Sequence, residues 1–260
     1  MKEKMSTKIL VSTSVFIAIA VIIRSMGIMI PIGGVGAMRI SFDGIFYILP
    51  GIIYGPIYGA FAGGIVDILA YILKPMGPYI PLFTLTTMLS GFIPGLIWRY
   101  AKIVNAEKLV KHYISFFVTL GLIGIINNVV IFVFPKSYLG KLVFLLGKKT
   151  QFIGIGLEVI ALLGFLILFI NTLIKRNNTE NKLYDNYIKM MLAIGLPTIV
   201  ISSINTYLLI LFVPGLSSIG FMVLWIPRIA ESCLMVLIQS YMISLLLNVY
   251  ELVFRTHPKY

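Results

Sequence analysis

Four ionisable residues, Arg39, Asp43, Asp67 and Lys74, sit in a stretch otherwise apolar enough to form bilayer helices. A charge near the centre of a membrane helix costs about 2.5–3.5 kcal/mol on insertion scales, so such groups persist where they bind a solute or one another. The chemistry they offer is recognition. Carboxylates accept hydrogen bonds, and Arg and Lys donate charge-assisted ones. For Asp67 two uses stay open: pairing with a cation such as Lys74 or Arg39, or accepting bonds from a ligand. The rigid run Pro75-Met76-Gly77-Pro78-Tyr79-Ile80-Pro81 follows, then Phe83 and Thr84. It is a lid over a pocket or a tight inter-helix turn, because three prolines forbid continuous helix. Thr84 either caps the next helix or bonds a ligand. A second polar set, Asn205, Arg228, Glu231 and Gln239, lies in the last two apolar runs. Arg228 and Glu231 at i,i+3 can pair with each other, or Arg228 can hold a ligand carboxylate.

Other chemistries lack their parts. The chain has two histidines, His112 and His257, and one cysteine, Cys233. They form no cluster with metal-ligand spacing, and no nucleophile–base pair or Asp-rich diphosphate motif is visible, so neither a metal, a cofactor nor an enzyme is expected. Leu146-Gly147-Lys148-Lys149-Thr150 resembles the end of a phosphate loop, but position 142 is Leu where glycine is required. Energy for active transport would have to come from an ion gradient or from separate ATPase subunits.

The elements that position these residues are membrane helices. Of 260 residues, 59% are hydrophobic and 12% charged, with mean hydropathy +1.02. That predicts an all-α polytopic membrane protein forming a single domain over 1–260. Eight segments are predicted, at about 8–30, 40–54, 56–74, 80–98, 113–135, 151–173, 190–213 and 219–248, the second short enough to be tilted or re-entrant. The net charge of +12 reflects basic loops rather than a nucleic-acid surface. Lys2, Lys4, Lys8, Arg99, Lys102, Lys108, Lys111, Lys175 and Arg176 all fall on one side, which predicts both termini in the cytoplasm. Lys136, Lys141, Lys148 and Lys149 fall on the other side, as a solvated loop or an attractor of anions. Gly55, Gly59 and Gly63, spaced by four, predict a groove for another helix, and Ser14-x-x-x-Ala18 makes a small-residue stripe on the first. Asn127-Asn128 with Glu158 faintly echoes Asn205 with Glu231, as a duplication of a helix pair or by chance.

These residues resemble the folate-type S components of energy-coupling-factor (ECF) vitamin transporters. The resemblance rests on Met38-Arg39-Ile40-Ser41-Phe42, Leu49-Pro50-Gly51-Ile52-Ile53-Tyr54-Gly55-Pro56, Gly59, Gly63 and Asp67. It continues in Gly77-Pro78-Tyr79-Ile80-Pro81-Leu82-Phe83-Thr84, Gly91-Phe92-Ile93-Pro94-Gly95, Asn205-Thr206, Ile226-Pro227-Arg228 and Gln239. Leu82 stands where the family has glycine. The resemblance implies a six-helix core, built from 1–104 and 181–260, with 105–180 holding an extra helix pair and linker. It implies a plasma-membrane subunit that captures a vitamin, folate first, from outside. That subunit would dock through Ser14 and Ala18 on a coupling subunit driven by two cytoplasmic ATPases. For such a ligand, Phe42, Tyr79 and Phe83 would hold the ring, and Asp43, Asp67 or Asn205 its nitrogens. Arg39, Lys74 or Arg228 would hold its carboxylates, with Thr84 beside them. An S component for another metabolite, a membrane-embedded enzyme and a scaffold are the competing readings.

Overall fold

A computed structural model describes residues 7–32, 35–75, 77–134, 150–177, 182–213, 215–216 and 220–256. Lys2, Lys4, the loop lysines Lys136, Lys141, Lys148 and Lys149, and His257 lie outside the described residues.

Helix α1 (Thr7–Ser25) is followed by an antiparallel hairpin, β1 (Ile28–Ile32) and β2 (Val35–Ile40). The predicted first helix to residue 30 therefore stops five residues early. Gly27 and Pro31 end helical propagation there, and a bulge between Ile30 and Pro31 accommodates the proline in the ladder. Then come α2 (Gly44–Ile53), α3 (Pro56–Leu73), α4 (Pro81–Ala101) and α5 (Ala106–Val133). The chain closes with α6 (Thr150–Asn177), α7 (Lys182–Phe212) and α8 (Phe221–Thr256).

Six of these helices are long and apolar enough to cross a membrane, while α2 and the apolar part of α6 are shorter. The all-α polytopic class stands, with the hairpin as an addition to it. At about 1.5 Å per residue, α2 reaches only about half of a 30 Å hydrocarbon layer. It is tolerated because it is enclosed by protein: seven of its ten residues are buried. Gly55, at φ 122°, makes the reversal from α2 to α3, a backbone state that L-residues rarely adopt. Pro56 then opens α3 at a position needing no N–H donor.

Helices α2, α3 and α4 pack together, α1 lies on α2 and α3, and the antiparallel pair α7–α8 leans on α4 and α2. A core of Ile48, Leu49, Trp98, Met190, Ile194 and Ile243 joins α2, α4, α7 and α8. A second, with Phe117, Leu168, Tyr187 and Leu237, joins the pair α5–α6 to α7 and α8. In α5–α6, Asn128 donates to Glu158 at 2.9 Å. Residues such as Ile57, Phe61, Ile72 and Phe169 point outward, as on a lipid-facing surface.

Candidate functional site

Glycine contacts fix where the polar side chains of α3 meet those of α4. A Cβ on Gly59 would lie 2.2 Å from the Gly91 carbonyl oxygen, and one on Gly63 2.4 Å from that of Thr87. Two helices so close share one register. One turn beyond Gly63, Asp67 therefore meets Thr84, whose Oγ1 donates to Asp67 Oδ2 at 2.6 Å. Tyr79 in turn donates to Thr84 Oγ1 at 2.6 Å. The turn at 77–80 is thus tied to the buried carboxylate through two hydroxyls. Tyr71 also holds this turn, donating to the Gly77 carbonyl at 3.2 Å and packing on the Tyr79 ring.

Asp67 takes its cation from α1. Arg24, in the last turn of that helix, bonds Asp67 through one nitrogen and Asp43 through the other, the latter at 3.4 Å. Neither Lys74 nor Arg39, the partners suggested by sequence, occupies that place. The hairpin makes the arrangement feasible by returning the chain from the end of α1 to Asp43 at the start of α2. Lys74 instead donates to the Ser25 carbonyl at 3.1 Å, fastening the end of α3 to the end of α1. On β2, Arg39 is held below its ordinary proton affinity by burial and then by Arg24, partly offset by Asp43 and Asp67.

Above and beside this triad opens a cavity of about 720 Å³. That volume lies in the range of small-molecule sites, about 300–1,000 Å³. Each helix contributes a stripe at helical spacing: Phe83, Thr86, Thr87 and Ser90 from α4, Thr198, Ile201, Ser202 and Asn205 from α7, and Arg228, Glu231, Met235 and Gln239 from α8. Thr86 donates to Asn205 Oδ1 at 2.7 Å, linking two walls.

The structure thus brings Arg39, Asp43, Asp67, Lys74, Tyr79, Phe83, Asn205 and Arg228 to one cavity. Phe42 and Thr84 are not among the lining residues. Phe42 is 42% exposed at the hairpin's end, and Thr84 is buried behind the wall. Ser14 and Ala18 are exposed on α1, away from this site. Sequence reasoning missed Arg24, Tyr71 and Thr86, and it named Glu231 and Gln239 among the polar groups of the last two helices without assigning them to the site. Arg24 carried a usable signal, since a buried arginine demands a carboxylate partner. The hydroxyls carried none, because Thr and Tyr are common in any membrane helix.

No curated relative and no solved structure matches this chain. A family model does: the one described as "ECF-type riboflavin transporter, S component" matches residues 4–174, well over half of the sequence. The match covers the hairpin, the Arg24–Asp43–Asp67 triad and α1–α5 with most of α6, and ends before the α7–α8 wall. The chain accordingly belongs to the family of ECF-type riboflavin transporter S components, the substrate-specific membrane subunits of importers and not enzymes.

Proposed function

We propose that this S component captures a vitamin built on a planar, nitrogen-rich ring system and holds it in the 720 Å³ cavity. The observation that carries the reading is the convergence of Arg39, Lys74 and Arg228 with the rings of Tyr79 and Phe83 on that one space. Membership of the family implies the partners, a transmembrane coupling subunit and ATPases, and places the protein in the plasma membrane as a multi-pass subunit. On the reading of the basic loops both termini face the cytoplasm, and the cavity opens to the outside. The cavity walls come from α1–α4 with the hairpin and α7–α8. Among the described residues α5 and α6 line none of it.

Riboflavin, named in the family's description, is the first ligand to test. Folate is the second, favoured by the match of residue pattern and by cations that suit its two carboxylates. In either case Tyr79 and Phe83 stack on the ring, while Arg39, Lys74 and Arg228 supply charge-assisted bonds. Asp43 and Asp67 are committed to Arg24 and act by positioning the wall. Titration of purified protein with riboflavin and with folate tests the reading. Saturable binding of one of them is expected, weakened about tenfold or more by Arg39→Ala, the effect of losing one charge-assisted bond. No binding of either, or unchanged affinity in both Arg39→Ala and Arg228→Ala, overturns it.

A further inference from the structure

The α7–α8 wall lies beyond residue 174, where the family match ends. Its chemistry is specific. On α8, Arg228, Glu231, Ser232, Met235 and Gln239 recur at intervals of three, one, three and four, one continuous face towards the cavity. Glu231 and Arg228 are one turn apart and interact through their charges. Gln239 sits further along the face, where its amide presses on the start of α2: a Cβ on Gly44 would fall 3.0 Å from Gln239 Nε2.

The two carboxylates of the opposite wall are already used. Asp43 and Asp67 share Arg24, and Asp67 also receives Thr84. Glu231 has two oxygens with about four lone-pair sites, more than one neighbouring guanidinium occupies. With Glu231 ionised, this face of α8 supplies donors from Arg228 and, three residues on, two acceptors from Glu231. Its complement is a ring edge reading acceptor, donor, donor. A 2-amino-4-oxo pyrimidine edge has that order, with its carbonyl, ring N–H and amino group. An imide edge, as in a flavin, reads acceptor, donor, acceptor, and would set its second carbonyl oxygen against a carboxylate oxygen.

We propose that Arg228 and Glu231 read the edge of the bound ring, and that Glu231 is the residue selecting an amino-pyrimidinone edge over an imide edge. This assignment rests on the cavity's taking a planar nitrogen heterocycle. It places the distinction between a folate-like and a flavin-like ligand on α8, outside the matched family region.

Two pteridines that differ at C2 and, with it, in the proton on N1 provide the test: pterin, with 2-amino and 4-oxo groups, and lumazine, with two oxo groups. Both are titrated into the full-length purified chain and into Glu231→Gln, which keeps the side chain's shape but exchanges one acceptor for an N–H donor. Wild type is expected to bind pterin at least about tenfold more tightly than lumazine, since a site built for hydrogen bonding rejects the analogue lacking the right group. Glu231→Gln is expected to erase or reverse that ratio. A purely structural role would weaken both ligands equally, leaving the ratio intact, and that result overturns the assignment. So does a wild type that prefers lumazine. Arg228→Lys, which keeps the charge but not the fork, is expected to weaken both rings while leaving pterin preferred. Riboflavin binding without pterin binding overturns the edge assignment and leaves the proposed function standing, whereas a chain that binds neither pteridine, riboflavin nor folate overturns both.

Discussion

Asp67 is held from three directions before any ligand arrives: by Arg24 from α1, by Thr84 from α4, and through Thr84 by Tyr79 in the turn at 77–80. Such a network gives a wall of fixed geometry, but it makes each member costly to remove alone. Taking one partner from a buried ion pair leaves an uncompensated charge, at about 3–5 kcal/mol, whereas replacing the whole set with neutral groups is often close to neutral. Arg24→Met should therefore melt at a clearly lower temperature in detergent than wild type. The triple variant Arg24→Met, Asp43→Asn, Asp67→Asn should recover much of that loss. Equal melting of the single and triple variants would show that the charges do not depend on one another. The need for a partner was legible in the sequence, because packing alone never requires a carboxylate in an apolar helix. The partner itself was not: Arg24 lies 43 positions from Asp67, and Asp43 reaches it only through a hairpin hidden in a run that reads as the end of a helix.

At the scale of elements, glycine does what larger residues would prevent. Gly51, Gly59, Gly91 and Gly95 let α2, α3 and α4 touch backbone to backbone, and a Cβ on Gly91 would sit 2.0 Å from the Gly59 carbonyl oxygen. Since the obstacle is main chain, no rotamer change relieves it. Overpacking costs typically about 1–3 kcal/mol and more where the backbone must shift. Gly91→Ala should therefore lower the melting temperature and, by pushing Thr84 (2.6 Å) and Thr87 (whose Oγ1 donates to Asp67 Oδ1 at 3.5 Å) off Asp67, weaken ligand binding as well. Gly156→Ala is the control, because nothing lies within 4 Å of a Cβ there; it should behave as wild type or gain slightly from helix propensity. If both variants melt alike, the close crossing is not what sets the register. The four-residue glycine spacing made the groove legible from sequence. Gly55 proved different from its neighbours, serving the α2–α3 turn at positive φ rather than the groove. The short α2 was legible from its length, and its burial explains how half a span persists.

For the whole molecule, the division of labour runs across α1. Its inner face, with Ile17, Ala20 and Val21, packs on Ala62 and Val66 of α3, close below the ion triad. Its outer face carries Leu10, Val11, Ser14, Val15, Ala18 and Ile22 exposed. Ser14 returns its hydroxyl to the Leu10 carbonyl at 2.9 Å, so the stripe shows an apolar surface with small residues at its centre. Family membership supplies the partner class, a transmembrane coupling subunit. Within a bilayer, small residues favour association because they let helix backbones approach closely. We propose this face, on Ser14 and Ala18, as the docking surface for that subunit. Because neither Ser14 nor Ala18 lines the cavity, capture and docking should be separable. Ala18→Trp, a bulky change on an exposed position, should leave vitamin affinity of the isolated protein unchanged. It should reduce uptake by cells co-expressing the coupling and ATPase subunits by about tenfold or more, the equivalent of about 1.4 kcal/mol of lost association. Co-purification of the complex should fall in step. A variant that keeps full uptake would move the interface elsewhere on the molecule, and one that loses binding as well would show that the exposed face of α1 is coupled to the cavity and not separable from it.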